Sequence, residues 1–238
     1  TKIYDRTGKV LLYEIHGEEK RTVVPFADIN QQLKDATIVA EDFDFYEHNG
    51  IDLKSILRAL FIDITQWKRT QGGSTITQQL VKKVFLSPEK TVIRKIKEAI
   101  LSIELEKKYS KEEIFSFYLN QIPYGSNAYG VEAAAQTFFG KKASDLNLAE
   151  SATLAALPKA PSYYSPYGPN RDDLLARKNS ILDRMASIGF ITQEALESSK
   201  QEVLVFAQQR ENIKAPHFVM MVKNYLEQKY GADAVENS

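Results

Sequence analysis

The chain has 238 residues, enough for one large domain with a short appendage around a substantial buried core. Its 31 lysines and arginines balance 31 aspartates and glutamates, so no overall field draws in nucleic acid and any anion site must be local. There is no cysteine, which excludes disulfides, thiolate zinc sites and a cysteine nucleophile, while His16, His48 and His217 are too scattered for an HExxH-type metal site. No apolar run reaches the ~20 residues of a membrane-spanning helix.

From the N-terminus, residues 1–26 read as a small β element, with Lys2-Ile3-Tyr4-Asp5 and Val10 to Ile15 flanking a turn at Thr7-Gly8. The rest reads as helical. Asp28 and Gln31 have the spacing of a capping box, and Ile29, Leu33, Ala36 and Ala40 carry a helical stripe into Glu41. A second apolar stripe runs from Leu53 to Ile64 and ends at Trp67-Lys68-Arg69. A polar run, Gly72-Gly73-Ser74-Thr75-Ile76-Thr77-Gln78-Gln79, interrupts it, and a helix is expected to resume near Ser74. Ile93, Ile96, Ile100 and Ile103 form the stripe of a long helix, and Ser110 with Glu113 caps the next one, to Asn120. Further helices are predicted over 130–139, 148–157 (opened by Asn147 with Glu150), 172–187 (closed by Gly189), 193–199 and 217–230. Pro158 to Pro169 reads as a loop and Val203 to Phe206 as a short strand.

Several segments carry candidate chemistry. Glu41-Asp42 precedes Phe43, Phe45, Tyr46, His48 and Gly50, and a carboxylate held against aromatic rings is desolvated, which lifts its pKa towards the range of a general acid or base. A solvated acidic turn is the competing reading. The polar run offers two glycines for close approach and hydroxyl and amide groups for sugar or phosphate oxygens, with Lys82 and Lys83 just downstream. A flexible loop ending in a helix cap explains the same residues, and no GxxxxGK[ST] phosphate loop is present. Arg94 and Glu98 are four apart, facing away from the isoleucine stripe, so alone they read as a surface ion pair. With Lys82, Lys83, Lys90, Lys95 and Lys97 they also make a cationic cluster of pyrophosphate size. Ile51 to Arg69 combines an apolar face with four cations and the one tryptophan, which suits a membrane interface or a core helix.

Taken in order, these segments resemble the peptidoglycan glycosyltransferase domain, family 51, of class A penicillin-binding proteins. EDxxFxxHxG is matched by Glu41, Asp42, Phe45, His48 and Gly50, and GGSTITQQ with its following lysine by Gly72 to Gln79 and Lys82. RKxxE is matched at Arg94, Lys95 and Glu98, KxEIxxxYLN at Lys111 to Asn120, and a late arginine motif at Arg177 to Leu182. The resemblance implies a mainly α, lysozyme-like fold with a small β element at the N-terminus. It implies three parts: residues 1–28 leading from a transmembrane helix, 29–200 as the glycosyltransferase domain, and 201–238 as a linker towards a transpeptidase domain. No SxxK, SxN and KTG set occurs, so penicillin acylation is not expected of this stretch.

The implied substrate is lipid II, a disaccharide-peptide joined by pyrophosphate to a polyprenyl chain. An acceptor 4-hydroxyl attacks the donor's anomeric carbon with inversion, and polyprenyl pyrophosphate leaves. By this resemblance Glu41 is the general base and Glu98 orients the donor or holds a metal; Mg2+ or Mn2+ with the pyrophosphate is compatible, not obligatory. Lys82, Lys90, Arg94 and Lys95 meet the pyrophosphate, while Asp42, Phe45, His48, Gly73, Ser74, Thr75, Gln78, Gln79 and Asn120 belong to the substrate-binding set. The partners implied are lipid II, the growing glycan, the outer face of a bacterial membrane through Ile51–Arg69, and a phosphoglycolipid inhibitor of the moenomycin type; nucleic acid is not among them. The competing functions are a lysozyme-like muramidase or lytic transglycosylase and an inactive peptidoglycan-binding module. Two departures stand out: relatives often carry arginine at Lys90 and between the aspartate and phenylalanine of the first motif, where this chain has Phe43-Asp44.

Overall fold

The computed structural model describes residues 2–9, 11–14, 20–54, 73–86, 91–207 and 216–230. They fall into two compact units, one of residues 1–20 with 207–238, the other of 21–206. The second unit is wider than the expected 29–200 at both ends. Val24 is clamped by Asn120, and Leu204 and Phe206 pack into or against the core.

In the smaller unit, strands β1 (Lys2–Tyr4) and β2 (Leu11–Glu14) pair antiparallel, Ile3 opposite Tyr13, with a bulge after Ile3. The turn closes through Gly8 N–H to the Asp5 carbonyl at 2.9 Å. Helix α9 (Pro216–Tyr230) belongs to the same unit.

The larger unit is helical. Its helices are α1 (Gln31–Glu41), α2 (Ile76–Val84), α3 (Val92–Lys108), α4 (Lys111–Gln121), α5 (Val131–Phe139), α6 (Leu148–Ala156), α7 (Arg171–Ser187) and α8 (Gln193–Gln201). At its centre lies α6, whose nine residues Leu-Ala-Glu-Ser-Ala-Thr-Leu-Ala-Ala are all buried. Small side chains allow α1 and α7 to approach this helix closely, and those two helices also pack against each other. Two of its buried polar groups are satisfied locally, since Glu150 closes the capping box with Asn147 and takes Lys141 at 2.7 Å and the Thr153 hydroxyl donates to the Ala149 carbonyl, while the buried Ser151 hydroxyl has no partner.

The caps expected at Ser110/Glu113 and Asn147/Glu150 are present. Asp28 and Gln31 do not form one; Asn30 caps α1 by accepting from Gln32 N–H at 2.8 Å, and Phe26–Asp28 is a short 3-10 turn. Val203 to Phe206 is not a strand. Instead a hairpin that the sequence reading missed, β4 (Pro123–Gly125) with β5 (Ala128–Tyr129), follows α4 and turns through Ser126 and Asn127, both at positive φ. With β3 (Lys20–Arg21) it makes a sheet of order β3-β5-β4.

The largest inversion is in α3. The stripe of Ile93, Ile96 and Ile100 faces solvent, Ile93 at 67%, whereas Glu98 on the opposite side is only 2% exposed. Amphipathic spacing places these residues on opposite faces but does not say which one meets the protein. Gly50 decides it. Its φ of +85° suits glycine, and a Cβ there would lie 2.8 Å from the Ser102 carbonyl carbon and oxygen, so the loop seats directly on the polar side of α3. Of Ile51–Arg69, only residues 51–54 lie within the described residues; Trp67, Gly72 and Lys90 lie outside them.

Candidate active site

Glu41 is the last residue of α1, and its carboxylate is held at both oxygens. Gln79 donates its amide N–H to Oε2 at 2.9 Å, and the Arg177 guanidinium meets Oε1 at 3.2 Å. Arg177 is itself fixed by a 3.0 Å bond from Nε to the Ala156 carbonyl at the end of α6, where helical carbonyls lack intrahelical partners. Three helices thus converge on one carboxylate. Burial pushes the Glu41 carboxyl above its ordinary value, and Gln79, Arg177 and Lys159 counter only part of that. The solvated-turn reading of this residue is excluded by the geometry: its side chain is only 9% exposed.

Two buried phenols stand behind it. Tyr118 donates to the Gln79 carbonyl oxygen over a long 3.4 Å, and the Tyr124 hydroxyl is buried without a partner. Burial, then the nearby Glu41 charge, pushes both phenols up. Both phenols therefore stay protonated at neutral pH beside the Glu41 carboxyl.

The polar run continues from this point. Thr75 caps α2 by accepting from Gln78 N–H at 3.1 Å, while the Gln78 side chain returns a bond to Thr75 N–H at 3.0 Å. The Thr75 hydroxyl also donates to the Gly50 carbonyl at 2.7 Å. Asp42 accepts Ile76 N–H at 2.9 Å, placing a carboxylate at the positive end of the helix, and pairs with His48 at 3.0 Å. The first two motifs are therefore stitched together by their own polar atoms.

Consequently the expected binding residues divide. Asp42, His48, Thr75 and Gln78 use their hydrogen-bonding groups to fix the Glu41 loop against α2. Phe45 is fully buried against Phe115, with the Lys111 ammonium 4.5 Å from its ring centre. Asn120 grips the Val24 backbone through both ends of its amide, at 2.9 and 3.1 Å. Gly73, Ser74, Gln79 and Lys82 remain partly open, and Lys95 is exposed.

One turn along α2 from Gln79 comes Lys82. Burial pulls its ammonium below the ordinary lysine value; Glu98 opposes this, and Lys83, Lys95 and Arg94 add to it. Glu98 pairs with Lys95 at 2.5 Å rather than with Arg94, and Lys95 also donates to Ser74 at 2.8 Å. Arg94 Nε is buried without a hydrogen-bond partner. Cations thus outnumber the single carboxylate, an arrangement suited to an anionic group. Among the described residues, no three histidine, aspartate or glutamate side chains gather to hold a metal ion.

Sequence reading placed Arg177 within a motif but assigned it no contact. It lies 136 residues from Glu41, and only folding reveals the pairing. A buried carboxylate and a cationic cluster thus lie along one helix of a mainly helical scaffold.

The transglycosylase family matches residues 8–186, and the chain belongs to that family: it is a glycosyltransferase domain of the peptidoglycan-building class. Penicillin-binding protein 1A of Aquifex aeolicus is 44% identical over 232 residues, covering 97% of this chain and 31% of that protein. Penicillin-binding protein 1A of Escherichia coli is 40% identical over 238 residues, covering 99% and 28%. The crystal structure of penicillin-binding protein 1A from Haemophilus influenzae superposes with a TM-score of 0.59 at 26% identity, over 98% of this chain and 25% of that one. The chain therefore spans less than a third of the length of these relatives.

Proposed function

We propose that this domain polymerises lipid II into glycan strands, with Glu41 as the base and the α2–α3 cations receiving the leaving group. The observation that carries the reading is the placement of both parts along α2: Gln79 on Glu41, and Lys82 beside Glu98, Arg94 and Lys95. As the acceptor 4-hydroxyl attacks the donor's anomeric carbon, its proton passes to a Glu41 oxygen. The bond from that carbon to the pyrophosphate oxygen breaks, and its electron pair leaves with polyprenyl pyrophosphate. Lys82, Arg94 and Lys95 stabilise the charge that develops there. Lys90 joins them on sequence grounds, and Ser74 and Gly73 offer contacts to sugar or phosphate oxygens. A divalent ion would find one carboxylate, Glu98, and would need the pyrophosphate for its other ligands. A moenomycin-type phosphoglycolipid fits the same cations. A hydrolase acting on uncharged glycan has no comparable use for this cluster.

The domain works against the outer face of a bacterial membrane, where a polyprenyl substrate resides. Beyond Ile51–Arg69, the reading is supported by the solvent-facing Val92, Ile93, Ile96 and Ile100 on α3, flanked by exposed Lys95 and Lys97. The deciding experiment incubates the chain with lipid II and separates products by size: glycan polymer is expected. Lipid II binding without polymer, or release of muropeptides from purified sacculi, would reject it. Ile93→Asp/Ile96→Asp is expected to lower sedimentation with anionic vesicles; equal sedimentation removes α3 from the membrane face.

A further inference from the structure

A groove of about 400 Å³ opens along α1 beside the loop that follows it, and no side chain of the Glu41 or Glu98 centres lines it. Phe43 and Tyr46 come from that loop and Phe190 from the turn after α7; all three rings are exposed. Single exposed aromatics are ordinary, whereas three converging in one concavity resemble the anchor pocket of a protein interface.

The charges around the rings have one predominant sign. Asp35, Glu47 and Glu112 contribute three carboxylates, against the single ammonium of Lys34, which lies 4.2 Å from the Phe26 ring centre. Burial pushes the Tyr46 phenol up, and Glu112 and Asp35 push it further. The chain's own Arg184 rests over the outer Phe43 ring at 5.1 Å, showing that this aromatic wall accepts a guanidinium. An anionic bilayer or nucleic acid would meet repulsion here. For a cationic, partly apolar ligand the attraction of three carboxylates outweighs the opposing charges of Lys34 and Arg184.

We propose that this groove docks a basic, apolar protein segment, with an aromatic or aliphatic side chain seated among Phe43, Tyr46 and Phe190 and flanking lysines or arginines meeting Glu47, Glu112 and Asp35. The volume falls at the low end of the ~300–1,000 Å³ typical of ligand sites, room for a few side chains of a peptide. The site stands apart from the chemistry, so it holds whether or not the domain polymerises lipid II. Its occupant would touch the loop that leaves Glu41.

The test titrates the 238-residue chain into a fluorescein-labelled peptide, Gly-Arg-Phe-Lys-Leu-Arg-Gly, and follows anisotropy. One control replaces its basic residues with glutamate and another its apolar residues with serine. The basic apolar peptide should bind about tenfold or more tightly than either control, and more weakly as salt rises. Glu47→Lys/Glu112→Lys, and separately Phe190→Ser, should each weaken binding about tenfold while circular dichroism and glycan polymerisation stay unchanged. Absence of binding up to about 1 mM overturns the proposal, as does binding that these variants leave intact. A preference for the acidic peptide, lost in Lys34→Met, would identify an anion site and overturn it as well.

Discussion

The two charged centres along α2 hold their groups by opposite means. Glu41 is enclosed by a neutral amide and by a guanidinium that the end of α6 holds in place, so both oxygens have fixed partners and burial raises the carboxyl. Around Glu98 the cations outnumber the acid, Lys82 is pulled down by burial and by like charge, and an Arg94 donor lacks an acceptor. For the proposed base, fixed partners that favour the ionised form keep the carboxylate available at neutral pH, while burial keeps its proton affinity raised. A site that receives a departing anion benefits from cations left under-satisfied until the anion forms.

That contrast can be broken most severely at the base. Glu41→Gln should lower turnover by about 10²–10⁴-fold with lipid II binding retained, as measured by polymer formation and by ligand binding. Because burial raises the folded pKa, ionised Glu41 opposes folding: the cost is absent below the unfolded carboxylate value, grows between the two values and is complete above the folded one. At neutral pH the variant is therefore expected to unfold no more readily than the parent.

At the other centre, Lys82→Met should cut turnover by about 10²-fold, and the loss should fall mainly on kcat, since leaving-group charge grows in the transition state. An equal loss in substrate affinity would mean that the cations serve binding instead. Between the centres, Gly50→Ala forces a Cβ into the α3 backbone at a positive φ, and should cost about 2–4 kcal/mol in denaturant unfolding.

The smallest effect is a shift in pH dependence. The acid limb of the rate profile should lie above the ordinary glutamate value of 4.5, because the base must be ionised and burial raises its pKa. Gln79→Leu removes a hydrogen bond that favours the ionised form, so the limb should move further towards neutral pH. No movement would assign Gln79 to substrate alone.

The helix boundaries were largely legible in the sequence because caps are local: Ser110 with Glu113 and Asn147 with Glu150 lie three residues apart. The short hairpin was not, since its strands of three and two residues give no period to read. Glu41 stood out in the sequence beside Phe43, Phe45 and Tyr46, but the groups that hold its carboxylate did not. Gln79 and Arg177 reach it across 38 and 136 residues. The fate of Asp42, Thr75 and Asn120 was equally hidden, because a polar side chain in a motif looks the same whether it faces a ligand or a backbone amide. For α3, the periodicity was correct and its orientation was set by Gly50, a residue without a side chain to advertise the contact.

The contact between Gly50 and Ser102 also sets a length. Glu41 is followed by a short loop that meets the α3 backbone at Ser102, and α3 carries Glu98 four residues earlier and Lys95 and Arg94 seven and eight residues earlier. No flexible side chain intervenes at that touching point, so the interval between Glu41 and the Glu98 cluster has little slack. In the proposed reaction that interval acts as a stiff gauge, and a donor whose scissile bond sat an atom too long would be misaligned at one end or the other.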